Sequence, residues 1–393
     1  MSLAPSLSQQ VGRWFRHLSL SPMSHRLARV IALSSIGMFL PLARSGAQPP
    51  ARRHAVLAVP AKFPTIQAAI DSTVPGDTVL VARGRYYENI RFKGKGIVVA
   101  SQFARTRNAA DIERTIIDGS RPSHPDTGTV VRFVNQEDTT AVLEGFTITG
   151  GTGTIWLDAK DLAYFREGGG ILCELSSPTI RYNHIVDNVA TSRDKNVTGD
   201  TLLSAGGGGI RCGYSEPTIT NNVIRGNRGR YGGGVVLFHS AGIIRNNLVV
   251  DNSGGEDFGG GGLWLVGALS YRLGTLVEHN TIVNNHVSGA DTTKPRMLKG
   301  RGGGLITAGT KLTLRNNIVW GNTQAGGQVG FAPNNPPEMT NNLVQGGVPG
   351  AGNSDADPRF AETIRFTLAP DSPARRSGTE LGAYGGLGNL FRR

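Results

Sequence analysis

The chain of 393 residues holds 55 glycines, 38% hydrophobic, 18% charged and only 7% aromatic residues, with a formal net charge of +12. Its lysines and arginines are scattered and rings for stacking bases are few, which argues against a nucleic-acid partner. There is apolar content for a sizeable core, and length alone allows several domains.

The first 47 residues read as an export signal. From Met23, the expected start, Arg26 and Arg29 precede an apolar run from Val30 to Leu42 and then Ser45-Gly46-Ala47. That is the order of a positive region, a short hydrophobic region and a small-residue cleavage site, with cleavage after Ala47. The alternative, a membrane anchor, is disfavoured because the run is short and interrupted by Ser, Gly and Pro. Cleavage removes five arginines and no acids, which lowers the charge from +12 to +7. The expected location is secreted, periplasmic or cell-surface, with no stable membrane span after cleavage. A basic exported protein suits an acidic polysaccharide or a cell-surface glycan.

Between Lys62 and Asn89, Thr65 is placed to cap a short helix over 66–72 with Ile66, Ala69 and Ile70 on one face. Pro75-Gly76-Asp77 is a turn and Thr78–Val81 a strand. A helix lying over the first coil closes an otherwise open strand edge. From 97 to 150 follow β-rich runs (IVVAS, TIIDG, VVRFV, VLEGFTITG) ended by turn residues.

The centre of the chain repeats. EGGGILCELSSPTIRYNHIVDN (167–188), GGGGIRCGYSEPTITNNVIRGN (206–227), YGGGVVLFHSAGIIRNNLVVDN (231–252) and RGGGLITAGTKLTLRNNIVWGN (301–322) align without a gap, and 260–285 fits with a longer turn. Apolar Ile180, Ile219, Ile244, Val277, Leu314 and Met339 each precede an asparagine by three positions: Asn183, Asn222, Asn247, Asn280, Asn317 and Asn342. A second set, Asn188, Asn227, Asn252, Asn285 and Asn322, lies eight positions after the first five of those apolar residues. Such short strands cannot bury an apolar side alone, but coils stacked about 4.8 Å apart can. One long solenoid domain is therefore expected, with each asparagine bonding the amide above and below and itself taking a left-handed bend. Glycines ahead of each strand permit a sharp corner, and a flexible linker would not keep this register. Residues 323–356, rich in Gly, Pro and Asn, form a last ragged coil.

Three stretches carry a family resemblance. P-T-I-Q-A-A-I-D (64–71), G-D-T-V (76–79) and Gly84-x-Tyr86-x-Glu88 resemble the opening of bacterial right-handed parallel β-helix proteins of the pectin-lyase-like class, which pectin methylesterases and periplasmic copper-maturation β-helix proteins share. The repeats are similar to the same class. So is the tail: Asp357-Pro358-Arg359-Phe360, Leu368-Ala369-Pro370-Asp371-Ser372-Pro373-Ala374 and Leu381-Gly382-Ala383-Tyr384-Gly385-Gly386. Arg375-Arg376 stand where the class usually has Ile-Asp. The resemblance implies an all-β right-handed parallel β-helix over 48–356 with a short N-terminal capping helix, and a C-terminal capping segment and tail over 357–393.

It also implies that the strand after each glycine run builds a polysaccharide-binding face. Its expected outward residues are Leu172, Arg211, Val236, Trp264 and Ile306, then Glu174, Gly213, Phe238, Val266 and Ala308, with Tyr214 and His239 on the adjoining turns. A lyase takes the proton beside a uronate carboxylate with a base, often Arg or Lys, and Arg211, Glu174 and His239 form the one such grouping. The competing reading is a surface ion pair and an exposed histidine. Trp264, Tyr214 and Phe238 are candidates for stacking on sugar rings; a Trp packed under a loop is the plainer reading of Trp264.

Cys173 and Cys212 occupy the same slot in adjacent repeats, close enough for a disulfide or for an unoxidised thiol ladder facing the core. Acids in the variable loops (Asp158, Asp161, Glu167; Asp194, Asp200; Glu256, Asp257) offer oxygen ligands for Ca²⁺ or are simply solvated. The histidines show no close-spaced ligand pair. Asp-Asp, Asn-Thr-Asp, Gly-His-Gly, Arg-Ile-Lys and Asp-Pro-His-Asp are all absent from the sequence, against polygalacturonases and mannuronan epimerases. The strand face offers one carboxylate where a glycosidase needs two.

The expectation is a monomeric secreted β-helix that binds, and cleaves by elimination if it cleaves at all, an acidic polysaccharide. Its rivals are a non-catalytic adhesin-like surface protein and a periplasmic assembly factor.

Overall fold

The computed structural model describes residues 53–158, 163–192, 194–195, 199, 201–254, 259–267, 274–287, 302–309, 311–322, 327–331, 335–362, 364–376, 379–380 and 382. The export-signal reading lies outside them, as do Asp161, Asp200, Glu256 and Asp257; of Asp194 only the backbone is described.

Among the described residues the strands form parallel sheets of ten, nine and eight strands. Each turn of chain visits them in a fixed order. Ile171–Glu174 lies in the eight-stranded sheet, Thr179–Arg181 in the ten-stranded one and His184–Val186 in the nine-stranded one. A two-residue strand, Val189–Ala190, then joins a narrow fourth sheet before the chain returns at Ile210–Gly213. The leading apolar residues stack in register: Ile180 on Ile219, Ile219 on Ile244, Ile244 on Val277, Val277 on Leu314, Leu314 on Met339. They and their counterparts on the other sheets form one continuous core along the stack. No single coil has such a core; stacking creates it.

The asparagines make two columns. Asn183 donates through Nδ2 to Oδ1 of Asn222 at 3.2 Å, Asn222 to Asn247 at 3.0 Å, Asn247 to Asn280 at 3.0 Å, Asn280 to Asn317 at 3.0 Å and Asn317 to Asn342 at 2.9 Å. Asn188, Asn227, Asn252, Asn285 and Asn322 do the same at 2.9–3.0 Å. Each later Oδ1 also accepts the backbone N–H of the asparagine above, as Oδ1 of Asn247 does from Asn222 at 2.9 Å, while Asn183 and Asn188 accept from Phe146 and Gly151, so the buried bends keep their polar groups satisfied.

The left-handed bend does not fall on the ladder residue, contrary to the sequence expectation. It falls one residue earlier, on Tyr182, Asn221, Asn246, His279, Asn316 and Asn341, with φ between 54° and 57°. The physical reason is direction. The ladder side chain must point inward along the stack, and the positive-φ residue before it turns the chain to allow that.

The helix spans Ile66–Asp71, with the Thr65 side chain accepting from the Ala68 N–H and Ile66, Ala69 and Ile70 buried. Glu88 of the Gly-x-Tyr-x-Glu motif accepts the Ile66 and Gln67 N–H groups at 2.9 Å each, which makes it the anchor of this helix.

Of the expected capping segment over 357–393, residues 363, 377–378, 381 and 383–393 lie outside the described ones, and the rest packs on the side of the stack. Phe366 packs on Val223, Leu248, Val250 and Val283, while Leu368 and Ala374 pack on Ile318 and Leu343. The segment thus runs back along the outer side of the nine-stranded sheet. Outward Val223, Leu248 and Val283 would leave an apolar stripe in water without it.

Candidate functional site

The site expected from sequence lies on the eight-stranded sheet, where Ile171, Cys173, Ile210, Cys212, Val235 and Leu237 point into the core. Leu172, Arg211, Val236, Trp264 and Ile306 occupy the opposite, outward register positions. They are nevertheless buried, every one. Val236, Phe238, Trp264 and Ile306 join Ala205 and Tyr231 in a second apolar cluster, against which Phe165, Tyr214 and Val266 pack. The open sugar-facing surface expected on this sheet is therefore absent along these strands.

Two local causes account for this. The glycine three residues before each strand is left-handed at Gly168, Gly207, Gly232, Gly260 and Gly302 (φ 53–70°). The chain there folds over the outward side chain: a Cβ on Gly232 would sit 2.4 Å from Val236 and 3.0 Å from Trp264. The second is an antiparallel hairpin, Gly153–Asp158 with Ala163–Glu167, which the sequence reading treated as variable loop.

That hairpin delivers Glu167. Its Oε1 accepts Nη2 of Arg211 at 3.1 Å, both side chains being 1% exposed. Glu174 stands one coil away with Oε1 at 3.9 Å from Nε of Arg211. Gly213, directly paired with Glu174 in the ladder, makes room for that carboxylate, since a Cβ there would lie 2.3 Å from both its oxygens. Arg211 also lies over the Phe238 ring at 4.9 Å.

Burial by itself lowers the Arg211 pKa, but Glu167 and Glu174 outweigh burial and raise it. Desolvation lifts the Glu174 carboxyl well above its ordinary value, against the pull of Arg211 and helped by Glu167 beside it. We therefore place a proton on Glu174. Tyr231, buried in the same cluster, is pushed up to about 12 by burial. These facts correct two expectations. Arg211 and Glu174 do come together, but as a sealed ion cluster and not as a surface pair. A guanidinium held charged and out of water cannot serve as the base of an elimination.

Trp264 and Phe238 are likewise covered, which removes them as open stacking platforms. Tyr214 and His239 differ. Both sit on the corner after the strand, in left-handed conformation (φ 51° and 46°), and their rings stack with centroids 5.6 Å apart and planes 11° apart. Leu175, one coil further, has φ 52° and is 62% exposed. A serine column behind them fixes the corner: Oγ of Ser176 donates to Glu137, and the N–H groups of Ser176 and Ser215 donate to Oγ of Ser215 and Ser240. This column was legible, because Ser176, Ser215 and Ser240 each stand two positions after the last residue of their strand.

Cys173 and Cys212 face each other across the ladder as buried free thiols, so of the two readings the unoxidised ladder is the one observed. Among the described residues no group of three or more His, Cys, Asp and Glu side chains is placed to hold a metal ion. Asp158 and Glu167, two of the loop acids, are buried. No described helix is long and apolar enough to cross a membrane.

A family model described as a right-handed β-helix region matches residues 96–273. The fold is a right-handed parallel β-helix. No curated protein matches the chain. Solved structures similar to this β-helix include a deglycosylated pectin methylesterase from Aspergillus niger, 13% identical over 78% of this chain and 86% of that one, with TM-score 0.35. Pectin methylesterase PemA from Erwinia chrysanthemi is 12% identical over 77% and 91%, also at 0.35. A pectin methylesterase in complex with a hexasaccharide is 11% identical over 83% and 95%, at 0.35. The enzymatic activity in those names belongs to those proteins.

Proposed function

We propose that this β-helix is exported and binds an acidic polysaccharide without cleaving it, along the corner that borders the eight-stranded sheet. The stacked pair of Tyr214 and His239 carries the reading. Bulky residues pay in conformational energy for a left-handed backbone, and such strain persists where surrounding structure enforces it for a use. Here it holds two half-buried rings one coil apart on the corner, at a spacing suited to contact with successive sugar rings. The net charge of +7 after cleavage at Ala47 supports an anionic polymer. Catalysis by elimination is left out because Arg211 is sealed from solvent between Glu167 and Glu174.

Affinity electrophoresis in polygalacturonate gels tests this, with unsaturated-uronate absorbance followed in parallel in the presence of Ca²⁺. The expected result is retardation without product. Tyr214→Ala should weaken binding roughly fivefold, the equivalent of about 1 kcal/mol of ring stacking. Migration of Tyr214→Ala identical to wild type, or accumulation of unsaturated product, would sink the proposal. No retention of any polyuronate would favour a purely structural surface protein.

A further inference from the structure

Arginines on neighbouring coils are neutralised in a consistent way on this molecule. On the ten-stranded sheet Glu144 lies between Arg107 and Arg181, at 2.6 Å from each. Glu278 lies between Arg245 and Arg315 in the same arrangement. On the eight-stranded sheet Arg211 has Glu167. One pair breaks this rule. Arg91 and Arg132 are register partners on the first coils of the eight-stranded sheet, in the outward column that continues to Leu172 and Arg211.

Arg132 is only 6% exposed, and its Nε is sealed from solvent with no acceptor. Among the described residues its guanidinium makes no hydrogen bond and no ion pair, and neither does that of exposed Arg91. Burial pushes the Arg132 pKa down to about 10, and the positive charge of Arg91 adds to the shift. An uncompensated buried charge is strongly unfavourable, so the missing carboxylate is conspicuous.

We propose that Arg132 and Arg91 form an anchor for one carboxylate of a uronic-acid sugar, which takes the bridging place that Glu144 and Glu278 fill elsewhere. A planar carboxylate matches the guanidinium fork in two parallel hydrogen bonds. The column position puts this anchor on the same sheet as the Tyr214 corner, two coils towards the N-terminus. The proposal rests on the reading of the protein as a binder of acidic glycans and names the group that the site selects.

The test is calorimetric titration of the full chain with trigalacturonate, neutral galactotriose, sodium sulfate and sodium phosphate, for wild type, Arg132→Met and Arg91→Met. Trigalacturonate is expected to bind wild type at least tenfold more tightly than galactotriose or either inorganic anion. Arg132→Met should lose at least tenfold of that affinity and Arg91→Met a smaller factor. Arg132→Met should also melt no lower than wild type, because it removes an uncompensated charge; a lower melting temperature would mark the arginine as structural and overturn the assignment. Equal binding of sulfate or phosphate would overturn the uronate preference. Retention of long polyuronate by wild type with Arg132→Met unaffected would remove the anchor and leave the glycan-binding reading standing. Trisaccharide binding that depends on Arg132, with no retention of the polymer, would do the reverse.

Discussion

Two carboxylates, Glu167 and Glu174, share one buried guanidinium, and out of water only one of them can ionise at little cost. Glu167 has the direct hydrogen bond to Arg211, so Glu174 holds the proton. A carboxyl whose folded pKa is raised contributes stability that is fully present below the unfolded value of 4.5 and is lost as pH climbs through the raised folded value. Wild type should therefore lose stability as pH rises from 4.5 to that raised value and level off above it, as read by chemical denaturation at a series of pH values. Glu174→Gln, which imitates the protonated acid, should flatten this slope and change stability little at neutral pH. The double variant Glu167→Gln with Glu174→Gln strands Arg211 and should cost about 3–5 kcal/mol. An unchanged pH slope in Glu174→Gln would show that the proton sits elsewhere. The type and spacing of Arg211 and Glu174 were legible in the sequence. Their burial was not, because it depends on Glu167, which arrives on a hairpin from the preceding coil.

The ladder is the element that sets the rise of the stack. Asn247 accepts from both the backbone and the side chain of Asn222, and it donates to Asn280, Ile219 and Arg245. Asn247→Ala leaves several of these buried partners unsatisfied at about 1–3 kcal/mol each, so a loss of at least ~3 kcal/mol is expected. Asn353, which closes the column from a part-buried position and accepts from Asn342, should cost about 1 kcal/mol or less when changed to Ala, because water replaces the lost partner. Equal losses in urea denaturation would show that the column is not a cooperative unit. This element was almost wholly legible: six asparagines at one offset from six apolar residues are hard to reconcile with anything but stacked coils. What escaped was which residue turns left-handed: Asn221, Asn246, Asn316 and Asn341 favour it but stand beside a second asparagine of the same type, and Tyr182 gives no sign of it.

At the scale of the molecule, three separate segments cover parts of the stack. The helix from Ile66 lies against the first coils, the hairpin over part of the eight-stranded sheet and the C-terminal segment along the nine-stranded one. The last of these is held mainly by apolar contact, with Phe366 at its centre. Phe366→Ala should remove about 3 kcal/mol of packing and release the segment before the coils unfold. Hydrogen exchange is then expected to accelerate over residues 359–374 and over the outer strands at Val223 and Leu248, while the ladder amides stay protected. Uniform acceleration along the whole stack would instead mean that the segment is part of a single folding unit.

The repeat determined the coil by itself, because stacking is a one-dimensional problem: a residue's partner is its own counterpart one period away, and period and partner are both written in the chain. The register of the repeating strands and the inward columns follow from that, and the short N-terminal helix was legible separately from its Thr65 cap and apolar face. The covering of the outward faces was decided by tertiary structure, since it joins residues with no shared period: Glu167 with Arg211, Phe366 with Val223, and Arg132 with no carboxylate at all. Those non-repeating contacts determine which outward side chains meet solvent, and with that, where a ligand can touch this β-helix.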